Sequence, residues 1–209
     1  AIVGVAHDYG GSVNDVVLSA IDGALARLVE SRVEVAERFV VSVPVSRRQA
    51  TTATELGNQV GVAPIELPGL SDRGERLRVI VGRGALIRSA PHGASAALLG
   101  PLFRLLAKLG CLRWFINRQR LVNSFVTNLR GPEQRLHFLG AAITDVFPVV
   151  GISGNVTVSF AVFSYAGTLS VSVIADPDAV DDLDLLREAL QDELDGYIRL
   201  RSGAIDGYA

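Results

Sequence analysis

Three imidazoles, His7, His92 and His137, are the side chains best suited by type to take a proton from a hydroxyl near neutral pH. None stands beside a second histidine. His7 is followed by a carboxylate, Asp8, and closely by Gly10-Gly11. That pairing could orient an imidazole, and a solvated loop histidine accounts for the same residues. His137 falls in a short stretch that reads as a strand, where a histidine satisfied by its sheet is the simpler reading. His92 follows Pro91 in a predicted loop and carries no signal. The single cysteine, Cys111, excludes an internal disulfide and any cysteine-based zinc cluster. Its apolar neighbours predict a buried small hydrophobe.

Polar pairs are the next candidates. Asn14 and Asp15 open a predicted helix, where free backbone donors favour an anion or a polar group. Plain helix capping is the favoured reading for Asp15 and stands level with a site role for Asn14. Arg104 and Lys108 stand four apart on one helical face among many leucines. Contact with anionic lipid or with the phosphates of a nucleotide carrier is one reading. Snorkelling at the edge of a core is the other. Asn155, Thr157 and Ser159 share one face of a predicted strand and line a tunnel or face solvent.

The elements that must position these residues follow from periodicity. Ser12 is a good N-cap, and Asp15 three residues later completes a capping-box pair for a helix over 13–30. Val13, Val16, Val17, Ala20, Ile21, Ala24, Leu25 and Leu28 make one apolar stripe on it. Residues 39–46 read as a strand, placed near an edge or at a bulge by Pro44. Residues 57–67 are a second extended stretch that Pro64 and Pro68 keep from the centre of a sheet. A helix over 72–88 is weakened by Gly82 and Gly84.

The most apolar helix lies within 95–120, interrupted at Gly100-Pro101 and at Gly110. Its run from Leu98 to Ile116 approaches membrane-spanning length, but Arg104, Lys108 and Arg113 within it predict a packed or interfacial helix. From Leu121 the period becomes two, giving strands over 125–128, 136–138, 141–149, 155–165 and 168–175. The last two flank an Ala166-Gly167 turn. A closing helix over 181–199 is acidic at its start and basic at its end. Helices and strands are partly segregated, so the expected fold class is α+β, a mixed β-sheet covered by helices.

Composition narrows the function classes. The chain is 49% hydrophobic and 20% charged, which excludes a disordered tail and gives ample material for a core. Its net charge of -2, with signs interspersed, leaves no nucleic-acid footprint. The first residues lack a basic segment followed by a long apolar run, so a cytoplasmic location is the expectation. A start at Ala1 and the absence of Met predict a piece of a longer or trimmed protein.

Four stretches in order carry a resemblance. They are Ser12-Val13-Asn14-Asp15-Val16-Val17-Leu18; Val43-Pro44-Val45-Ser46-Arg47 followed by Gly57-Asn58-Gln59-Val60; Val126-Thr127-Asn128-Leu129-Arg130-Gly131-Pro132; and Ser164 to Leu169 leading through Ala175-Asp176-Pro177-Asp178. Together they resemble the C-terminal region of the wax ester synthase/diacylglycerol acyltransferase family, with its Asn-Asp, Gly-Asn-Arg and Thr-Asn-Val-Pro-Gly-Pro motifs. Gln59 stands where the family has Arg, removing a fixed charge, and Leu129-Arg130 replaces Val-Pro, freeing a backbone donor.

The resemblance implies a chloramphenicol acetyltransferase-like half, a two-layer sandwich. Residues 1–209 would form a single C-terminal domain, with the catalytic N-terminal domain absent from this chain. The family's base is a histidine of a His-His-x-x-x-Asp-Gly motif in that other half. Asp22-Gly23 mimics only the motif's end and reads as helix interior. This chain would then supply no catalytic residue but the walls of the site, with Asn14, Asp15, Asn58, Thr127 and Asn128 as substrate-binding candidates. For Thr127 and Asn128 a turn-stabilising role stays open, and Arg104 and Lys108 would meet membrane or CoA. Acyl-CoA would enter as co-substrate, with no cofactor and no metal. Diacylglycerol or a long-chain alcohol would be the acceptor, and the N-terminal domain the partner, with peripheral contact at the inner membrane face or a lipid droplet. The competing expectations are a non-catalytic lipid-binding or assembly domain, and condensation-type transfer from a carrier protein.

Overall fold

Ser12 starts the longest-buried helix as its sequence predicts. Its hydroxyl accepts from the Asp15 backbone N–H, while the Asp15 carboxylate accepts from the Ser12 N–H, a reciprocal capping box. The computed structural model describes residues 1–32, 39–46, 60–89 and 94–206. In chain order these give α1 (Ile2–Asp8), α2 (Val13–Ser31), β1 (Phe39–Ser46), β2 (Val60–Leu67), α3 (Arg73–Ser89), α4 (Ala94–Lys108) and α5 (Leu112–Ile116). There follow β3 (Ser124–Arg130), β4 (His137–Phe138), β5 (Ala141–Ala142), β6 (Val158–Tyr165), β7 (Thr168–Ala175) and α6 (Leu183–Asp206).

The chain divides into two compact units. One comprises Ala1–Val40, Ile65–Ala90 and Val180–Ala209; the other comprises Val41–Pro64 and Pro91–Ala179. In the first, α2 packs on α1, α3 and α6. Every residue of α2 from Asp15 to Leu25 is buried. The single apolar stripe expected of this helix is therefore too narrow a description. Its other face carries Ser19, Asp22 and Gly23, which are buried because polar partners reach them from other elements of the same unit. Leu77 and Ile80 of α3 and Leu186, Leu190 and Tyr197 of α6 complete the interior.

The sheet is mixed, in the order β2-β1-β3-β6-β7. β3 runs parallel to β1 and to β6, and β7 returns antiparallel to β6. The helices and this five-stranded sheet make the α+β class expected, with the Pro-bearing β2 at an edge and β1 next to it. β6 departs from its expected alternation. Val158, Ser159, Phe160, Ala161 and Val162 are all buried, as in a strand shielded on both faces.

Four further boundaries differ from the sequence reading. Helix α1 was not expected; it carries His7, read above as a loop residue. Gly100-Pro101 does not interrupt α4, which carries Pro101 within it. The stop comes at Gly110, where Gly110 N–H bonds the Ala107 carbonyl and Cys111 N–H the Leu106 carbonyl. Of the strand expected over 141–149, Ala141–Ala142 alone forms a ladder, with His137–Phe138. Helix α6 runs on through Gly203 to Asp206, so its last turn holds no basic residue.

Candidate functional site

The Asn14-Asp15 pair sits in the first turn of α2. Asp15 is buried, and its Oδ2 accepts from both the backbone N–H and the hydroxyl of Ser12 at 2.8 Å. Arg88 of α3 approaches the same oxygen at 3.4 Å. This carboxylate is thus engaged in holding the helix start, the capping role weighed for it. Asn14, one residue earlier, is half-buried at the second helical position.

Deeper in the same unit lies a polar layer that sequence reasoning missed. Arg73 of α3 makes a two-pronged pair with Glu193 of α6, both contacts at 3.0 Å. Arg76 of α3 donates to the same carboxylate and to the Leu70 carbonyl. Gly23 of α2 faces this pair: a Cβ there would come within 2.6 Å of both Arg76 and Glu193, so any larger residue would make the paired side chains shift. Tyr197 donates its hydroxyl proton to the Arg73 carbonyl at 3.1 Å. Ser19 must then be the donor in the 2.5 Å contact between the two hydroxyls. Burial raises the Tyr197 phenol above its ordinary value, opposed by the Ser19 hydrogen bond.

Asp22 lies in this unit with one oxygen satisfied and one not. Oδ2 accepts from the Gly69 N–H at 3.0 Å, and Oδ1 has no hydrogen-bond partner among the described residues. Burial pushes its carboxyl up to about 6, against the pull of the Gly69 N–H and the charges of Arg76 and Arg83. One signal for this layer was present: Leu186, Ala189, Leu190, Glu193 and Tyr197 recur at helical spacing, which sets Glu193 on the buried stripe of α6.

In the second unit Thr127 and Asn128 are half-buried in the carboxyl-terminal half of β3, opposite Ala161 and Val162 of β6. The carboxyl ends of parallel strands are where open α/β sheets present ligand-binding groups. The Gly131-Pro132 that follows docks on β6. Gly131 N–H bonds the Ser164 carbonyl at 2.8 Å, and a Cβ on Gly131 would strike that carbonyl at 2.5 Å. Tyr165 ties down the segment beyond: its hydroxyl accepts from the Leu136 N–H at 2.8 Å and donates to the Ile143 carbonyl at 2.9 Å. The polar face expected over 155–159 splits, since β6 begins only at Val158. Asn155 is exposed and bonded to Gln119, whereas Ser159 is buried with an unpartnered Oγ.

Arg104 and Lys108 are exposed on α4. Cys111 is exposed too, contrary to the expectation of burial, because it stands at the turn into α5 and not within the apolar helix. His7 is 91% exposed on α1, with Asp8 at 3.9 Å, and His137 is exposed in β4. Asn58, Arg47, Gln59 and His92 lie outside the described residues. No helix among the described residues is long and apolar enough to cross a membrane.

Residues 56–197 match the family described as the WS/DGAT C-terminal domain. The chain belongs to that family. Two Mycobacterium tuberculosis proteins named provisionally as diacylglycerol O-acyltransferases are each 28% identical to this WS/DGAT C-terminal domain. One aligns over 205 residues, 90% of this chain and 40% of its own length. The other, tgs1, aligns over 199 residues, 90% and 42%. The domain therefore spans about two fifths of the curated relatives it matches. A wax ester synthase/diacylglycerol acyltransferase from Marinobacter aquaeolei VT8 superposes with a TM-score of 0.74 at 22% identity, covering 97% of this chain and 46% of that one. A condensation domain of the enacyloxin polyketide synthase superposes at 0.56 and 19% identity, over 94% and 37%. These two likenesses establish the fold, that of the WS/DGAT and condensation-domain proteins.

Proposed function

We propose that this domain is the C-terminal half of an acyl-CoA-dependent O-acyltransferase that forms triacylglycerol or wax esters, with the histidine base supplied by the N-terminal half. The base takes the proton of an alcohol, whose oxygen attacks the thioester carbonyl. The C–O bond of the ester forms, the C–S bond breaks, and CoA leaves as the thiol. The family match over residues 56–197 is the observation that carries this reading.

The domain's own residues bind and orient. Asn14 presents its amide at a helix start whose geometry Asp15 fixes through the capping box. Thr127 and Asn128 offer polar groups at the carboxyl end of β3. Asn58 is a further candidate by its motif alone. Support for a partner half comes from the segment after β3, where Phe138, Leu139, Phe147 and Val149 expose large apolar side chains that a neighbouring surface would shelter.

The test is Asn14→Ala in the full-length protein, assayed with radiolabelled palmitoyl-CoA and diacylglycerol or hexadecanol. Turnover is expected to fall roughly tenfold or more. The melting temperature should move no more than a change of about 0.5 kcal/mol allows. Activity and stability falling together would assign Asn14 to capping and remove it from the site.

A further inference from the structure

We infer that β7 is the contact strand of a symmetric dimer, pairing antiparallel with β7 of a second copy so that two five-stranded sheets become one. This goes beyond acyl transfer and stands whether or not that reading holds. β7 closes one edge of the sheet and has no strand on its outer side among the described residues. It lacks the charge, the proline and the bulge by which edge strands are ordinarily kept apart. Its sequence, Thr-Leu-Ser-Val-Ser-Val-Ile-Ala, holds no ionisable side chain. Its register with β6 runs one to one from Tyr165↔Thr168 to Val158↔Ala175. The strand at the opposite edge, β2, carries both Pro64 and Glu66.

The backbone bonds fix which groups this edge offers. Asp176 N–H, just past the strand, bonds the Thr157 carbonyl, so the even-numbered residues of β7 turn their N–H and C=O toward β6. Across the ladder, Ser164 turns its carbonyl the other way, to Gly131 N–H, which leaves Tyr165 facing Thr168. Leu169, Val171, Val173 and Ala175 therefore present their backbone groups outward, as a template for another strand.

Symmetry and charge select a second copy as the occupant. A two-fold axis through Val171 sets Leu169 opposite Val173 and Ser170 opposite Ser172, so each face of the sheet continues in its own kind. A neutral strand meets its identical copy without like-charge repulsion. In this register Asp176 of one copy stands opposite Ala166 of the other. Ala166 N–H bonds the Pro132 carbonyl and the Tyr165 hydroxyl holds Leu136 N–H, so the exposed Arg135 flanks that end. The acidic Asp176-Pro177-Asp178 turn is thus brought to the end that carries this cation, once in each half of the pair. The pairing uses the same edge in both copies and closes at two chains.

The full-length protein is followed by sedimentation equilibrium across roughly 1–100 μM and by amide exchange at matched concentrations. A monomer–dimer equilibrium is expected, with the Val171 and Val173 amides slowed roughly a hundredfold as the dimer fills. Val171→Pro removes an N–H that points away from β6 and should weaken association roughly tenfold or more. Ser170→Lys with Ser172→Lys sets lysines directly opposite lysines and should abolish it. Neither change touches the β6–β7 bonds, so the Phe163 and Tyr165 amides should keep native protection and report that each variant folds. Where a variant loses that protection, the exchange pattern of the native protein decides alone. A monomer at every concentration, a dimer whose Val171 and Val173 amides exchange freely, or a dimer that folded variants leave intact would each overturn the inference. Slow exchange at these amides in the monomer would mean that another strand of the same protein covers the edge, and would overturn it as well.

Discussion

The Arg76 guanidinium and the Glu193 carboxylate are paired in the interior of the helical unit, with side-chain exposures of 3% and 7%. The pair is unequal in one respect. Glu193 has a second partner in half-exposed Arg73, whereas Arg76 has no other charged partner among its hydrogen bonds and keeps an unpartnered Nε.

That asymmetry predicts which partner is the more costly to remove. Glu193→Leu leaves buried Arg76 with no hydrogen-bonded carboxylate, only the field of the Asp22 carboxyl, and should cost about 3–5 kcal/mol. Arg76→Leu leaves Glu193 bonded to Arg73 and should cost clearly less. Urea denaturation of the two variants measures the order, and the reverse order would contradict this account of the layer.

Asp22 sets a pH dependence. Its carboxyl is raised from 3.8 to about 6 in the folded chain, so the folded state holds the proton more tightly than the unfolded state does. The stability it contributes is fully present below 3.8 and is lost as pH rises through about 6. The loss amounts to about 3 kcal/mol at most. Asp22→Asn keeps the shape and cannot ionise. The stability difference between variant and native protein should therefore grow in the variant's favour between these two pH values and then level off. A difference that stays flat across the window would show that Asp22 does not titrate there.

Tyr165 should govern the segment that crosses its hydroxyl. Tyr165→Phe removes the acceptor for Leu136 N–H and the donor to the Ile143 carbonyl. Amide exchange at Leu136 should quicken roughly tenfold while the β6–β7 ladder keeps its protection. Unchanged exchange at Leu136 would mean that this hydroxyl does not anchor the segment.

Much of the fold was legible because short-range chemistry decides it. Ser12 and Asp15 announce α2, Pro64 keeps β2 at an edge, and Ala166-Gly167 closes the β6–β7 hairpin with both residues at positive φ. What escaped depends on partners distant in sequence. Asp22 and Ser159 look like ordinary polar positions until the residues packed around them remove the water. Residues 143–149 hold several strand-prone side chains, yet among the described residues only the Ile143 N–H reaches across, to the Leu136 carbonyl, and side-chain type alone cannot report that. Of the candidate site, the sequence named the helix start and the end of β3. It misjudged Cys111, whose exposure follows from the turn at Gly110.

The central claim is that these residues bind and orient while the proton acceptor belongs to another part of the protein. Acyl transfer from labelled palmitoyl-CoA to hexadecanol and to diacylglycerol, measured side by side for the full-length protein and for the purified 209-residue chain with its folding checked by circular dichroism, tests it directly. The account predicts product from the full-length protein and none above background from the folded chain. Turnover by the chain alone, or a full-length protein that transfers to neither acceptor, would contradict it.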